Sequence, residues 1–295
     1  MEIAKDLRDF LMTRRAKITP DQVGLVSGAR RRVPGLRREE VAILAGVSTE
    51  YYVQIERGQV AGVSDEILHS IATALQLDDV ETTHLFDLAR AATRHAVKRP
   101  GRSRSVRQPV PEGLQALIDT MVAAPAIVQN GHLDIVAANA LGRALYSEVF
   151  ERATGTPNLA RFIFLDDRAE ETFPDWEKAA DDSVALLHVE AARVPYSKAV
   201  TGLVGDLATR SDAFRTRWAA HDVIAHRRGT KRFHHPAIGE LTLRFEGLDV
   251  LSSAGLTLIG YTAESGSPSQ EALQLLASWA ATEADREGEP HVRSE

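Results

Sequence analysis

RREEVAILAGVSTEYYVQIERG, residues 37–58, decides the fold of the N-terminal part of this chain, because its small, turn-forming and apolar residues recur at the spacing that two crossing helices require. Val41, Ala42 and Ala45 share one face of a short helix, and Ala42 is small enough to let a second helix approach. Gly46 supplies a stop at positive φ, Val47 plugs the corner, and Ser48 caps the second helix. Tyr52 and Ile55, three apart, pack back on the first helix, and Gly58 ends the unit. This is the pattern of a helix-turn-helix. Its second helix presents Thr49, Glu50, Tyr51 and Gln54 near its N-terminus, where the motif offers side chains to base edges in the major groove, with Arg38, Ser48 and Arg57 beside them. An ordinary helical hairpin draws on the same common residues, so the flanks carry weight.

Outward from the motif, Ile3–Lys17 predicts a preceding helix, with Leu7, Phe10 and Leu11 on one side. Ser64 caps a helix through Ile67, Leu68, Ile71, Ala72 and Leu75, and Val80–Ala92 offers another through Leu85, Phe86 and Leu88. The expectation is an all-α domain over residues 1–97. With AGVS and YYVQIERG as the matching core, this part resembles the XRE class of bacterial repressor-like domains over roughly Met1–Ala92, which implies double-stranded DNA as the partner. The segment Ile18–Gly35 departs from that class by its length. It carries Arg30, Arg31 and Arg32, which either reach the phosphate backbone and an adjacent groove or belong to a solvated loop.

Charge separates the chain into unlike halves. Residues 1–108 hold 18 basic against 14 acidic side chains, a balance of +4, and the remainder 17 against 27, a balance of −10, within the overall −6. A basic half suits a polyanion that the acidic half repels, so DNA contact is expected in the first half alone. Between them KRPGRSRSVRQPVP, residues 98–111, has five basic residues, three prolines and no apolar period, and reads as a linker. The chain has no cysteine, which excludes disulfides and thiol redox chemistry within it and is consistent with a reducing cytoplasm. Neither a secretory signal pattern nor an apolar run of membrane-spanning length occurs, so a cytoplasmic protein without a membrane partner is expected.

The second domain is expected over residues 112–281, with 282–295 an acidic disordered tail. A helix through Leu114, Leu117, Ile118 and Met121 precedes PAIVQNGHLDIVAAN (125–139), whose two apolar runs around Asn130-Gly131 predict a hairpin, with Asn139 capping the next helix. Helical patterns continue over Trp176–Arg193 and Lys198–Ala220, broken at Pro195. Then the period changes. Leu241, Leu243 and Phe245 alternate with Thr242, Arg244 and Glu246, and Leu256, Leu258 and Gly260 alternate with Thr257, Ile259 and Tyr261, predicting two antiparallel strands. A hairpin, several helices and a β-meander make an α+β domain of PAS-like plan. The blocks DIVAANALGRALY, NLARFIFLD, FPDWEKAADDSVALL, LVGDLATRSDAFRTRWAAHDV and GTKRFHHPAIGELTLRFEGL resemble the C-terminal domain of MmyB-like transcription regulators. The resemblance spans Leu7–Ala277 and implies a PAS-like domain that binds a fatty acid, joined to a DNA reader.

For a small apolar or carboxylate ligand, bulky residues on the sheet face and its covering helices are the lining candidates: Phe162, Trp176, Trp218 and Phe245, each of which also serves as plain core. Arg161, set among Leu159, Phe162 and Phe164, is the first choice for a carboxylate because guanidinium matches it bidentately, although Asp166 is a structural alternative partner. Asn139 and His234 are further choices. His221, Asp222, His226, His234 and His235 crowd together, but His221 and His226 fall at i,i+5, poor for one helical face, and no HExxH, GxSxG, P-loop or dinucleotide fingerprint is present. No metal, cofactor or catalytic residue is expected. The reading is a regulator, expected as a homodimer on paired half-sites, in which a small ligand modulates operator binding. The alternative keeps DNA binding and makes the C-terminal domain a dimerisation or protein-interaction module.

Overall fold

The computed structural model describes residues 3–25, 33, 35–96, 110–195, 197–220 and 228–288. Arg30–Arg32, most of the expected linker, and His221, Asp222 and His226 lie outside the described residues. Contacts divide the chain into two compact units, Met1–Ser105 with Val184–Ala225, and Val106–Ser183 with His226–Glu295.

The first unit opens with α1 (Ile3–Lys17), a single 3-10 turn at Pro20–Val23, α2 (Arg38–Ala45), α3 (Thr49–Glu56), α4 (Asp65–Ala74) and α5 (Asp79–Ala96). The turn between α2 and α3 forms as its residues dictate. Gly46 sits at φ 69°, Val47 N–H donates to the Ala42 carbonyl, and Ser48 Oγ accepts from Tyr51 N–H at 3.1 Å. Gly58, at φ 85°, lies against α1 so closely that a Cβ there would stand 2.7 Å from Ala4 Cβ. Leu7, Phe10, Leu11, Val41, Ala42, Tyr52, Ile55, Ile71 and Leu85 close the core.

The remaining elements are α6 (Glu112–Asp119), β1 (Ala126–Asn130), β2 (Ile135–Ala138), α7 (Ala140–Leu145), α8 (Ser147–Glu151), α9 (Leu159–Leu165), α10 (Ala169–Thr172), α11 (Trp176–Arg193), α12 (Lys198–Arg210), α13 (Asp212–Ala220), β3 (Arg228–His235), β4 (Gly239–Asp249), β5 (Leu256–Thr262) and α14 (Pro268–Gly288). Ala192, near the end of α11, joins the core of the first unit, which is why the division between units falls within that helix. The single helix expected over 198–220 is two, because Ser211 turns to extended backbone and its Oγ caps α13 by accepting from Phe214 N–H at 3.2 Å. Helix α14 covers the first residues of the stretch read as the tail, and 289–295 lie outside the described residues.

The five strands form one antiparallel sheet in the order β2-β1-β5-β4-β3. This is the α+β, PAS-like domain the sequence predicts. Register assigns its faces. Gly229–Phe245, Lys231–Leu243 and Phe233–Leu241 pair across β3 and β4, and Phe245 pairs with Tyr261, so these residues share one face. Val128 and Leu258, paired on the opposite face, pack with Ile118 of α6. The strand β3 escaped the sequence reading because the inward position Lys231 interrupts its apolar alternation.

Candidate functional site

In the first unit the exposed residues of α3 are Glu50 and Gln54, and with the exposed Arg57 that caps its C-terminus they fall at i, i+4 and i+7, which makes a single stripe. Thr49 is half-buried at its start. Tyr51 packs partly against the core, which leaves it less of its surface to offer than its neighbours. Ser48 spends its oxygen on the cap. Arg38 is held by the buried Glu56: its Nε and Nη2 reach Oε1 at 2.7 Å, while Arg15 Nε reaches Oε2 at 3.0 Å and Arg15 Nη1 donates to the Leu36 carbonyl at 2.8 Å. Glu56 thereby ties α1, α2 and α3 together beneath the stripe. Burial, with the Glu56 carboxylate second, pushes the Tyr52 phenol well above its ordinary range.

In the second unit the rings of Tyr146, Phe162, Phe173, Phe233, Phe245 and Tyr261 form one connected set, with neighbouring centroids 5.5–6.5 Å apart. Lys231 enters this set from β3. Its Nζ lies 4.4 Å from the Phe173 centroid, 5.5 Å from Phe233 and 5.6 Å from Tyr146, and 3.5 Å from Tyr146 Oη. Tyr146 Oη and Tyr261 Oη are 2.5 Å apart. Burial lowers the Lys231 amine to about 8, opposed by the Asp182 carboxylate, and raises both phenols.

That shift has a measurable sign. Between pH 8 and the ordinary lysine range the unfolded chain holds a proton that the folded chain has released, so stability rises with pH across this interval. Above about pH 10 the raised tyrosines reverse the trend, since the folded state then keeps protons that the unfolded state loses. We expect Lys231→Met to remove on the order of 2 kcal/mol of the stability gained between pH 8 and 9.5, read by denaturant melts at each pH. An identical pH slope in the variant would show that the amine titrates as it does in water.

The other ligand candidates are dispersed. Arg161 is exposed on α9, where its backbone N–H donates to the Asn158 cap at 2.9 Å, and Asp166 is engaged by Arg168. His234 points outward from β3, opposite in pleat to its buried neighbour His235. His235 accepts from Ala237 N–H through Nδ1 at 3.2 Å, which leaves Nε2–H to donate to the Ala144 carbonyl at 3.0 Å, a structural arrangement of a neutral ring. Trp176 donates to the Ile163 carbonyl at 2.9 Å and meets the aromatic helix α9 through Phe164. Trp218 belongs to the first unit, stacked on His188 at 3.7 Å. Asn139 is occupied by backbone groups on every side. Sequence reasoning missed Lys231; the signal was KRF, a charged residue two positions from an inward phenylalanine.

These two units define a DNA-binding transcription regulator with a ligand-binding domain. Residues 13–85 match the helix-turn-helix domain family, and residues 110–276, more than half of the chain, match the MmyB-like transcription regulator ligand binding domain. The chain belongs to the MmyB-like transcription regulators. No individual curated protein matches it. Among the described residues no helix is long and apolar enough to cross a membrane, and no group of three or more His, Asp or Glu side chains is placed to hold a metal ion.

Proposed function

We propose that this protein is a cytoplasmic, homodimeric regulator in which α3 reads an operator and a fatty acid or similar apolar ligand in the C-terminal domain alters that affinity. The exposed stripe Glu50, Gln54 and Arg57, raised on a helix locked from below by Glu56, is the observation that carries the reading. A rigid helix whose polar side chains face outward matches the donor and acceptor edges of the major groove. The connected rings on the inner face of the sheet support an apolar ligand in the second unit, with Phe162 and Phe245 among its contacts. Leu275 and Trp279, exposed one turn apart on α14, support association between copies. The ligand regulates only if it binds two conformations unequally.

Replacing Gln54 by alanine is expected to change operator preference by about 1–3 kcal/mol while sparing non-specific binding. Replacing Arg30, Arg31 and Arg32 by glutamine is expected to weaken binding to all sequences and to flatten the log–log salt slope by up to about 3. Fluorescence anisotropy against a set of operator variants at several salt concentrations separates the two. Equal loss across sequences for Gln54 would remove it from base readout. Native mass spectrometry of the protein from its own host, followed by solvent extraction, tests the ligand. Recovery of no small molecule, with an operator affinity indifferent to added fatty acids, would leave a DNA-binding protein with an association module.

A further inference from the structure

The helix-turn-helix, residues 37–58, contains four carboxylates, and three of them are spent on the fold. Glu56 is buried between Arg15 and Arg38, Glu40 accepts from the Arg37 backbone N–H at 2.6 Å, and Glu39 pairs with the Arg37 guanidinium at 3.3 Å. Glu50 is the fourth. It stands exposed in the first turn of α3, and among the described residues its side chain has neither a hydrogen bond nor an ion pair. The Gln54 amide, one turn further on and also exposed, is equally free among them. A carboxylate on the surface that meets a polyanion weakens the encounter unless the groove offers it a donor. A first-turn acid also favours the helix macrodipole, but that effect concerns the stability of α3 and not the choice of base.

We propose that Glu50 selects a cytosine in the operator, its carboxylate accepting from the N4 amino group of that base, within about two base pairs of an adenine read by Gln54. The inference deepens the DNA-binding reading above and rests on it. A carboxylate offers acceptors only. In the major groove guanine shows N7 and O6 and thymine shows O4, all acceptors, so either base facing Glu50 sets its lone pairs against a negative charge. Adenine has a donor at N6 beside an acceptor at N7, a pair that suits the amide of Gln54, which carries one of each. Cytosine alone shows a donor with no acceptor next to it. Glu50 and Gln54 lie one helical turn apart on α3, a rise of about 6 Å against about 3.4 Å between base pairs, so the two side chains face base pairs that are close neighbours.

The test uses the full-length protein and a duplex DNA library of random sequence, from which bound duplexes are selected and sequenced for the unaltered protein, Glu50→Gln and Gln54→Ala. The unaltered protein should enrich a site that holds a cytosine and an adenine within about two base pairs of each other. Glu50→Gln supplies the amide that pairs with adenine, so the cytosine should become adenine while the rest of the site stays. In fluorescence anisotropy on the selected duplex, replacing that C·G pair by T·A should cost the unaltered protein about tenfold in affinity and Glu50→Gln less than about twofold. Binding of Glu50→Gln to an unrelated duplex should rise several-fold, because a negative charge leaves the surface that faces the phosphates. The same site for the unaltered protein and Glu50→Gln, with Gln54→Ala changing its own position, overturns the cytosine assignment and leaves α3 as the reader. A position that Glu50→Gln alters but that holds no cytosine in the site of the unaltered protein overturns it as well. Enrichment of no site by any of the three proteins overturns both readings.

Discussion

Glu56→Ala is expected to destabilise the first unit by about 3–5 kcal/mol, enough to abolish operator binding at moderate temperature. Glu56 is 1% exposed and accepts from two arginines, Arg15 through Oε2 at 3.0 Å and Arg38 through Oε1 at 2.7 Å. Arg15 is nearly buried, with its side chain 13% exposed, so loss of the carboxylate strands a charge that water reaches poorly. Arg38, 47% exposed, regains solvent and contributes less. The loss therefore falls mainly on the α1–α3 contact. Urea denaturation of the full chain, with hydrogen exchange of the α1 and α3 amides, measures it. A loss under about 1 kcal/mol would mean that the arginines find other partners. Glu56→Gln, which keeps the size and one acceptor, should cost less than alanine and so separate packing from charge.

Asn139→Ala is expected to cost the second unit about 3 kcal/mol or more, because the side chain satisfies buried backbone groups from three separate places. Its Oδ1 accepts from Ala126 N–H at 2.9 Å and Gly142 N–H at 2.7 Å, and its Nδ2 donates to the carbonyls of Met121 at 2.8 Å, Ala124 at 2.9 Å and, more weakly, Ile118 at 3.3 Å. The residue joins the end of α6, the start of β1 and the N-terminus of α7. Gly142 is required beside it, since a Cβ there would fall on the Ala126 carbonyl. Asn139→Asp keeps both acceptor bonds but loses the donors and buries a charge, so it too should destabilise, increasingly as pH rises above the carboxylate range. Thermal melts and amide exchange in β1 and α7 report the effect. A variant that melts with the unaltered protein would show that bound water replaces the amide.

The sequence reading anticipated Asn139 as a helix cap and also offered it as a ligand contact; the geometry shows how full its hydrogen-bonding capacity is. Other differences have the same origin. Val41, Ala42, Gly46, Ser48 and Ile55 act on neighbours within a few residues, so the helix-turn-helix was legible from spacing. The α9 residues were legible as a helix, but whether Arg161 or Phe162 faced inward was not, and Arg161 faces out. Trp218 looked like sheet-covering material and instead stacks with His188 in the first unit. Glu56 and Arg38 lie eighteen residues apart, and no local period links them.

By itself the sequence determined the helix-turn-helix and the α+β character of the C-terminal domain, because helix and strand periods, caps and turns are short-range effects. Only the tertiary structure decided which side chains converge. It paired β3 with β4, which turned Lys231 inward among rings contributed by the end of α7, the chain before α11, and β3 itself. It also left Arg161 and His234 outside. Strand pairing sets the face of every residue in a strand at once, and that pairing is a long-range choice that no local pattern encodes when a lysine occupies an inward position.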